Sequence, residues 1–299
     1  MYPIAESIRK IDQDSWLVGP LILRRSSGIS ATGAWYDQAH DASYTIVKSP
    51  HPLPKATPIP ANDPIVKLVH ASDDSAVWSI GTSTLCKIKQ QPAGTTLEAT
   101  TLAYLRKKKP RFGVPMVLYA AESEGRTYLF QSRAWGRTLA EAWPTLNEKW
   151  KRQYIDKIAK ICCDMSEWSR DRIGGVDGKG IPERYLTQGD SNNFSPENLL
   201  AGCKAAGMNC SQFVFSHGNL SPRNILVESV PAIGTLGIVD WDTAGFVPKG
   251  WIRTKFRIDS GLDLLGVNDP TEWRREVQKK LGELGFEDYS NAFSSDELA

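Results

Sequence analysis

The 299-residue sequence predicts an α+β fold in two lobes, a small lobe built on a sheet and a larger one richer in helix. Three observations predict it. The length suits two domains of roughly 100–200 residues better than one core. Short apolar and alternating runs between Ile65 and Gln131 read as strands. The strongest stripe at helical spacing starts only near Thr145.

Bulk composition excludes several classes. With 41% hydrophobic and 23% charged residues the chain is neither disordered nor membrane-spanning in character, and a net charge of +2 gives no strong pull toward nucleic acid or membrane. The opening MYPIAESIRKIDQDSW lacks the apolar segment of a signal peptide, so the expectation is a cytoplasmic protein with neither nucleic acid nor membrane as partner. Nothing in the sequence fixes the oligomeric state. The cysteines, Cys86, Cys162, Cys163, Cys203 and Cys210, form no CxxC pair and have no partnering histidines, which argues against a disulfide framework or a zinc site.

Residues 1–49 show no clear period, and six prolines follow between Pro50 and Pro64; together they read as an extended N-terminal extension, 1–64. The expected first lobe spans 65–133. In it IVKLVH, TSTLCKIK (Thr82 to Lys89) and RTYLFQ (Arg126 to Gln131) read as strands, with a helix from Thr96 stopped at Pro110. Gly136 marks a turn into the second lobe, 134–299. There a helix expected near Thr145, capped through TxxE to Glu148, carries Trp150, Tyr154, Ile158, Ile161, Met165 and Trp168 on one stripe, read as core. A loop from Gly174 to Asn193, a short helix from Pro196 to Lys204, and three short strands, FVFS, NILV and LGIVD, follow. Asp269 and Pro270 read as cap and first-position proline of a last helix with Trp273, Val277, Leu281 and Leu284 inward.

Chemistry concentrates between Phe213 and Phe246. Two short strands flank a polar loop, and a second polar cluster follows the next strand, which can bring His217, Asn219, Asn224 and Asp240 around one cleft. HGNLSPRN resembles the HRDxxxxN catalytic loop of protein kinases and the HGDxxxxN loop of small-molecule kinases. Followed by a strand and DWDTAG, it makes the chain resemble the aminoglycoside phosphotransferase family over roughly Ile65 to Leu284. DWDTAGFVPKGWIRTKF looks like that family's fungal branch, which points to secondary metabolism.

That resemblance implies a two-lobed protein-kinase-like fold with a mainly antiparallel β lobe, and ATP and magnesium as cofactors. Asn224 and Asp240 then occupy the metal-ligand positions and supply hard oxygens. His217 becomes mainly structural. Lys87 falls where a strand lysine grips nucleotide phosphates, although Lys89 alternates to the same face and could serve instead. Glu98 falls at the ion-pair position, and Ser132 and Ala134 at the nucleotide-binding hinge, where Ser132 replaces a frequent acid. HASDDSAVWSIG, read as the turn between the first strands, lacks GxGxxG. Asp242 would join Asp240 on one face if the chain stayed extended.

Asn219 stands where the family has its catalytic aspartate. An amide brings no negative charge and no basic site near neutral pH. The reading is therefore a diverged small-molecule kinase with weakened phosphotransfer. Its alternatives are a pocket repurposed for other chemistry on a metabolite, such as a cyclisation or isomerisation, and a pseudokinase that binds without turnover. The mixed charge of the second lobe argues against a polycationic antibiotic as acceptor.

Overall fold

The computed structural model describes residues 2–293; Met1 and 294–299, the outermost ends of the expected extension and second lobe, lie outside the described residues. The chain forms two compact units, one of residues 1–93 with 115–133, the other of 94–114 with 134–299. The class is α+β. The first unit is built on antiparallel strands and the second holds the long helices.

In the first unit β1 (Ile8–Lys10), β2 (Ser15–Val18), β3 (Leu21–Ser27), β4 (Trp35–Asp37), β5 (Ala42–Lys48) and β6 (Thr57–Pro58) form one antiparallel sheet ordered β4-β5-β3-β2-β1-β6. The segment expected as an extended lead-in is thus a folded sheet. Proline still obeys its constraint, since Pro58 sits on the two-residue edge strand β6. A second sheet, ordered β10-β11-β9-β8-β7, comprises β7 (Val66–Ala71), β8 (Ser75–Ile80), β9 (Thr84–Gln90), β10 (Val117–Ser123) and β11 (Arg126–Ser132). Strand β8 occupies half of HASDDSAVWSIG and the end of β7 its first two residues, so that stretch is two strand pieces with a short turn at Ser72–Ser75 rather than one long turn.

One core joins the two sheets: Trp16, Leu23 and Tyr44 from the first pack with Trp78, Cys86, Ile88 and Phe130 of the second. Buried Asp37 pins them further, accepting from the Thr82 amide (2.6 Å) and hydroxyl (2.7 Å). Its carboxyl is held below the ordinary value: burial opposes the shift, but the Thr82 hydrogen bonds outweigh it.

In the second unit α1 (Glu98–Lys108) is sewn in at both ends. Thr96 N–H donates to Gly180 O (2.9 Å), and Gly113 exchanges hydrogen bonds with Leu236 and Ile238 (2.8 and 2.9 Å). Gly136, at φ +95°, turns the chain into β12 (Arg137–Thr138); a Cβ there would sit 2.1 Å from Val227 O, so no other residue fits. Thr138 and Glu141 form a capping box on α2 (Leu139–Ala142). The long α3 (Glu148–Ser166) is capped by Asn147, which accepts from Trp150 N–H, and not by Thr145. Thr145 instead donates back to Ala142 O. The expected stripe buries Tyr154, Ile158, Ile161 and Met165. Then follow β13 (Ser169–Arg170), α4 (Pro196–Ala205), β14 (Phe213–Ser216), β15 (Ile225–Val227), β16 (Leu236–Ile238), β17 (Gly245–Pro248), α5 (Lys249–Ile258) and α6 (Glu272–Glu283). Helix α6 starts two residues after Pro270, because Asp269 spends its carboxylate on the Thr271 amide and hydroxyl; Leu284 is 40% exposed rather than core. Among the described residues no helix is long and apolar enough to cross a membrane.

Candidate active site

The polar loop hangs between two short sheets of the second unit. Strand β14, buried along its whole length, pairs with β13 and β17 and delivers His217; β15 and β16 form a hairpin that begins just after Asn224 and ends just before Asp240. Gly218, at φ +80°, makes the reversal between them. A Cβ there would meet Thr243 O at 2.5 Å.

His217 is fully buried and ties the loop together. Its Nδ1 accepts from the Asn219 amide (3.1 Å), which assigns the ring proton to Nε2, the donor to Val239 O (3.0 Å). With its own carbonyl accepting from the Thr243 hydroxyl (3.1 Å), the histidine is a strut. Asn224 closes the constellation: its Nδ2 donates to Asn219 O (3.0 Å) and to Asp240 Oδ2 (3.5 Å). Asn219, Asn224 and Asp240 are all partly exposed, as groups that meet a ligand must be. Among the described residues the Asn219 side-chain amide makes no hydrogen bond, and only its backbone is engaged.

Asp240 has φ +70°, an uncommon left-handed conformation for a residue with a side chain. Its neighbour explains how it is held. Trp241 is completely buried, 4.4 Å from the His217 ring and stacked at 6.0 Å on Phe112. The indole N–H donates to Ile238 O (2.9 Å), and the backbone N–H donates to Glu98 Oε1 (3.1 Å). Glu98, expected at an ion-pair position, therefore also fixes the residue after Asp240. The positive φ breaks the extended run, so Asp242 falls in a turn and the alternation argument for it does not hold.

Of the residues singled out by sequence, the structure brings His217, Asn219, Asn224, Asp240 and Glu98 into one hydrogen-bonded group. Lys87 lies in β9 of the first unit, partly buried on the face opposite Cys86 and Ile88. Ser132 ends β11, where its hydroxyl accepts from Met116 N–H (2.8 Å), and Ala134 opens the second segment of the second unit. Sequence reasoning missed the wall beside the loop. Leu220 with Trp251, Ile252 and Phe256 of α5 encloses a space of about 20 Å³ next to Gly218, enough for one water. Lys255 is the charged lining residue; it pairs with buried Glu183 (2.5 Å) and with Asp259 (3.7 Å). The amphipathic spacing of WIRTKF was the signal.

Among the described residues no group of three or more His, Cys, Asp or Glu side chains is placed to hold a metal ion. A cation at this loop would rest on Asn224 and Asp240. Because the Asn224 amide nitrogen is committed to the protein, its Oδ1 is the atom to offer, and with the Asp240 carboxylate it gives the hard oxygen pair that magnesium takes.

No family model matches the chain, and no curated protein matches it either. Solved structures do. Aminoglycoside phosphotransferase APH(3'')-Id from Streptomyces rimosus is similar at 17% identity and a TM-score of 0.48, over 79% of this chain and 90% of that one. An aminoglycoside-3'-phosphotransferase of type VIII is similar at 16% identity and a TM-score of 0.48, over 79% and 91%. The Cydia pomonella granulovirus kinase PK-1 shows 12% identity and a TM-score of 0.36, over 61% and 52%. At such identities the chemistry has to come from this chain's own residues.

Proposed function

We propose that the chain is a diverged small-molecule phosphotransferase of the kinase-like type, which binds ATP with magnesium and transfers phosphate slowly because Asn219 stands at the base position. The observation that carries the reading is the hydrogen-bonded group of Asn219, Asn224 and Asp240 on the β14–β15 loop and the β15–β16 hairpin. Asn224 and Asp240 would hold the magnesium, which when bound neutralises phosphate charge. Asn219 can orient an acceptor hydroxyl through its amide oxygen but takes no proton from it. Loss of a positioned base costs ~10²–10⁴-fold in rate, roughly 3–5 kcal/mol of barrier. Lys87 or Lys89 is proposed as the phosphate contact and Ser132 and Ala134 as hinge contacts, from the sequence motif alone.

A second reading, a pocket turned to non-phosphoryl chemistry on an apolar metabolite, is favoured by one feature: the side chains beside Gly218 are Leu220, Trp251, Ile252 and Phe256, with a cation, Lys255, rather than carboxylates among them. The space they enclose takes only one water, so they form an apolar wall beside the loop, and such a wall suits an uncharged group next to it better than a polycation.

Titration with ATP and magnesium separates the two. The first reading expects a rise in Tm with magnesium–ATP, abolished by either Lys87→Met or Lys89→Met, and a gain of about 10²-fold in ATP turnover for Asn219→Asp. A flat Tm together with unchanged turnover in Asn219→Asp removes it. Under the second reading Asn219→Asp leaves activity on the true substrate unchanged or damages it, with ATP dispensable. A pseudokinase would instead show a defined partner and no turnover.

A further inference from the structure

The first unit contains a cavity that the proposed chemistry does not use. It has a volume of about 490 Å³ and is lined by residues of the first sheet, the chain start, the 49–53 segment and the β10–β11 hairpin, among them Leu17, Pro20, Leu53, Arg126 and Tyr128. That volume falls within the range of small-molecule sites, ~300–1,000 Å³. Its walls combine the apolar surface of Leu17, Pro20 and Leu53 with polar side chains, Ser49, His51 and Ser123 among them, and one permanent cation stands in it on a fixed mount. Arg126 Nη1 donates to Tyr2 O (2.7 Å) and Ser7 Oγ (3.3 Å), both neutral. Among the described residues Arg126 has no ion pair, and its buried Nε has no hydrogen-bond partner. A part-buried guanidinium without a counter-ion is costly to keep and is a ready partner for a carboxylate.

The other polar groups define the ligand further. Tyr128, 2% exposed, lies with its hydroxyl against Gly19, whose φ of +55° and missing Cβ leave room for it: a Cβ would be 2.3 Å from the oxygen. Burial raises the Tyr128 phenol above its ordinary value, and the neighbouring Arg126 charge opposes that shift, so the ring stays a neutral donor beside a cation. Glu124 also lines the cavity, but it is exposed on the hairpin turn. One permanent cation, with the exposed Glu124 carboxylate and the exposed His51 ring as the other titratable lining groups besides tyrosine, suits a monoanion better than a doubly charged phosphate.

We infer that this cavity binds a small organic carboxylate with an apolar body, its anion on Arg126 and its hydrocarbon against Leu17, Pro20 and Leu53. The site is independent of the loop at Asn219 and does not depend on the function proposed for it.

Calorimetric titration of the full chain with octanoate, octanamide and inorganic phosphate tests this. Octanoate is expected to saturate with a Kd below about 1 mM, to weaken with added salt, and to outbind the neutral amide and phosphate by at least about tenfold. Arg126→Gln should weaken octanoate by about tenfold or more. Because Arg126 also holds Tyr2 and Ser7, Leu53→Asp provides a second variant: Leu53 is 47% exposed, so a carboxylate there repels the anion while leaving the core intact. No saturation by octanoate, equal binding of octanamide, tighter binding of phosphate, or unchanged affinity in a folded Arg126→Gln or in Leu53→Asp would each overturn the assignment.

Discussion

Gly218 shows how tightly the loop is drawn at the scale of one residue. Both Gly218 (φ +80°) and Gly178 (φ +84°) need the left-handed region, but a Cβ at Gly178 meets nothing within 4 Å, whereas at Gly218 it meets Thr243 O at 2.5 Å. Gly178→Ala should therefore cost only the backbone term, ~1–2 kcal/mol. Gly218→Ala should cost at least ~2 kcal/mol more, because the backbone oxygen it meets cannot swing away. Urea denaturation of the two variants measures the difference; equal midpoints would mean the loop has slack. The glycine was legible in the sequence as part of HGN. The left-handed Asp240 was not: no glycine or asparagine marks it, and its conformation is imposed by burial of Trp241 and by the Glu98 carboxylate, whose place in the sequence is far away.

The β15–β16 connection makes the same point for an element. One carboxylate, Glu228, gathers the backbone N–H groups of Ala232 (2.7 Å), Ile233 (3.2 Å), Gly234 (3.1 Å) and Thr235 (3.1 Å). Lys157 donates to the carbonyls of Ile233 and Gly234 from the α3 side. Hydrogen bonding from Ala232 is the largest cause that holds the Glu228 carboxyl down, at about 2 against an ordinary 4.5. A folded-state value below the unfolded one means the ionised form stabilises the loop. That contribution is fully present above pH 4.5 and fades as pH falls toward 2. Amide hydrogen exchange at Ala232 to Thr235 should accelerate selectively across this window, and Glu228→Gln should show the accelerated rates already at neutral pH. Exchange that is indifferent to both would refute the capping role. VESVPAIGT looks like an ordinary turn in sequence, since a carboxylate that folds back on residues four to seven ahead leaves no periodic trace. FVFS, by contrast, was read residue for residue: three consecutive buried apolar side chains and a buried serine, bounded by polar residues, leave little choice.

Across the whole molecule, the largest departure from the sequence reading is the first sheet. Its strands are three to seven residues long apart from the two-residue edge, and β2 buries Trp16, Leu17 and Val18 in succession, so the alternation that would reveal a strand is absent. Pairing with neighbours supplies the order that local pattern lacks. If residues 2–58 were an appendage, removing them would be harmless. As built, removal strips Trp16, Leu23 and Tyr44 from the shared core and lays bare Trp78, Cys86, Ile88 and Phe130. The shortened chain is expected to aggregate or to bind a hydrophobic dye strongly, and a soluble, monodisperse product with unchanged Tm would contradict the shared core. The division into two units also carries a cost in time. Residues 94–114 belong to the second unit although first-unit chain follows them, and Glu98 meets the Trp241 amide only 143 residues later. On the ribosome, at ~5–20 residues per second, Glu98 waits some seconds for the amide it anchors, and a chain arrested before Trp241 holds α1 through Gly180, Leu236 and Ile238 but leaves the Glu98 carboxylate without that bond.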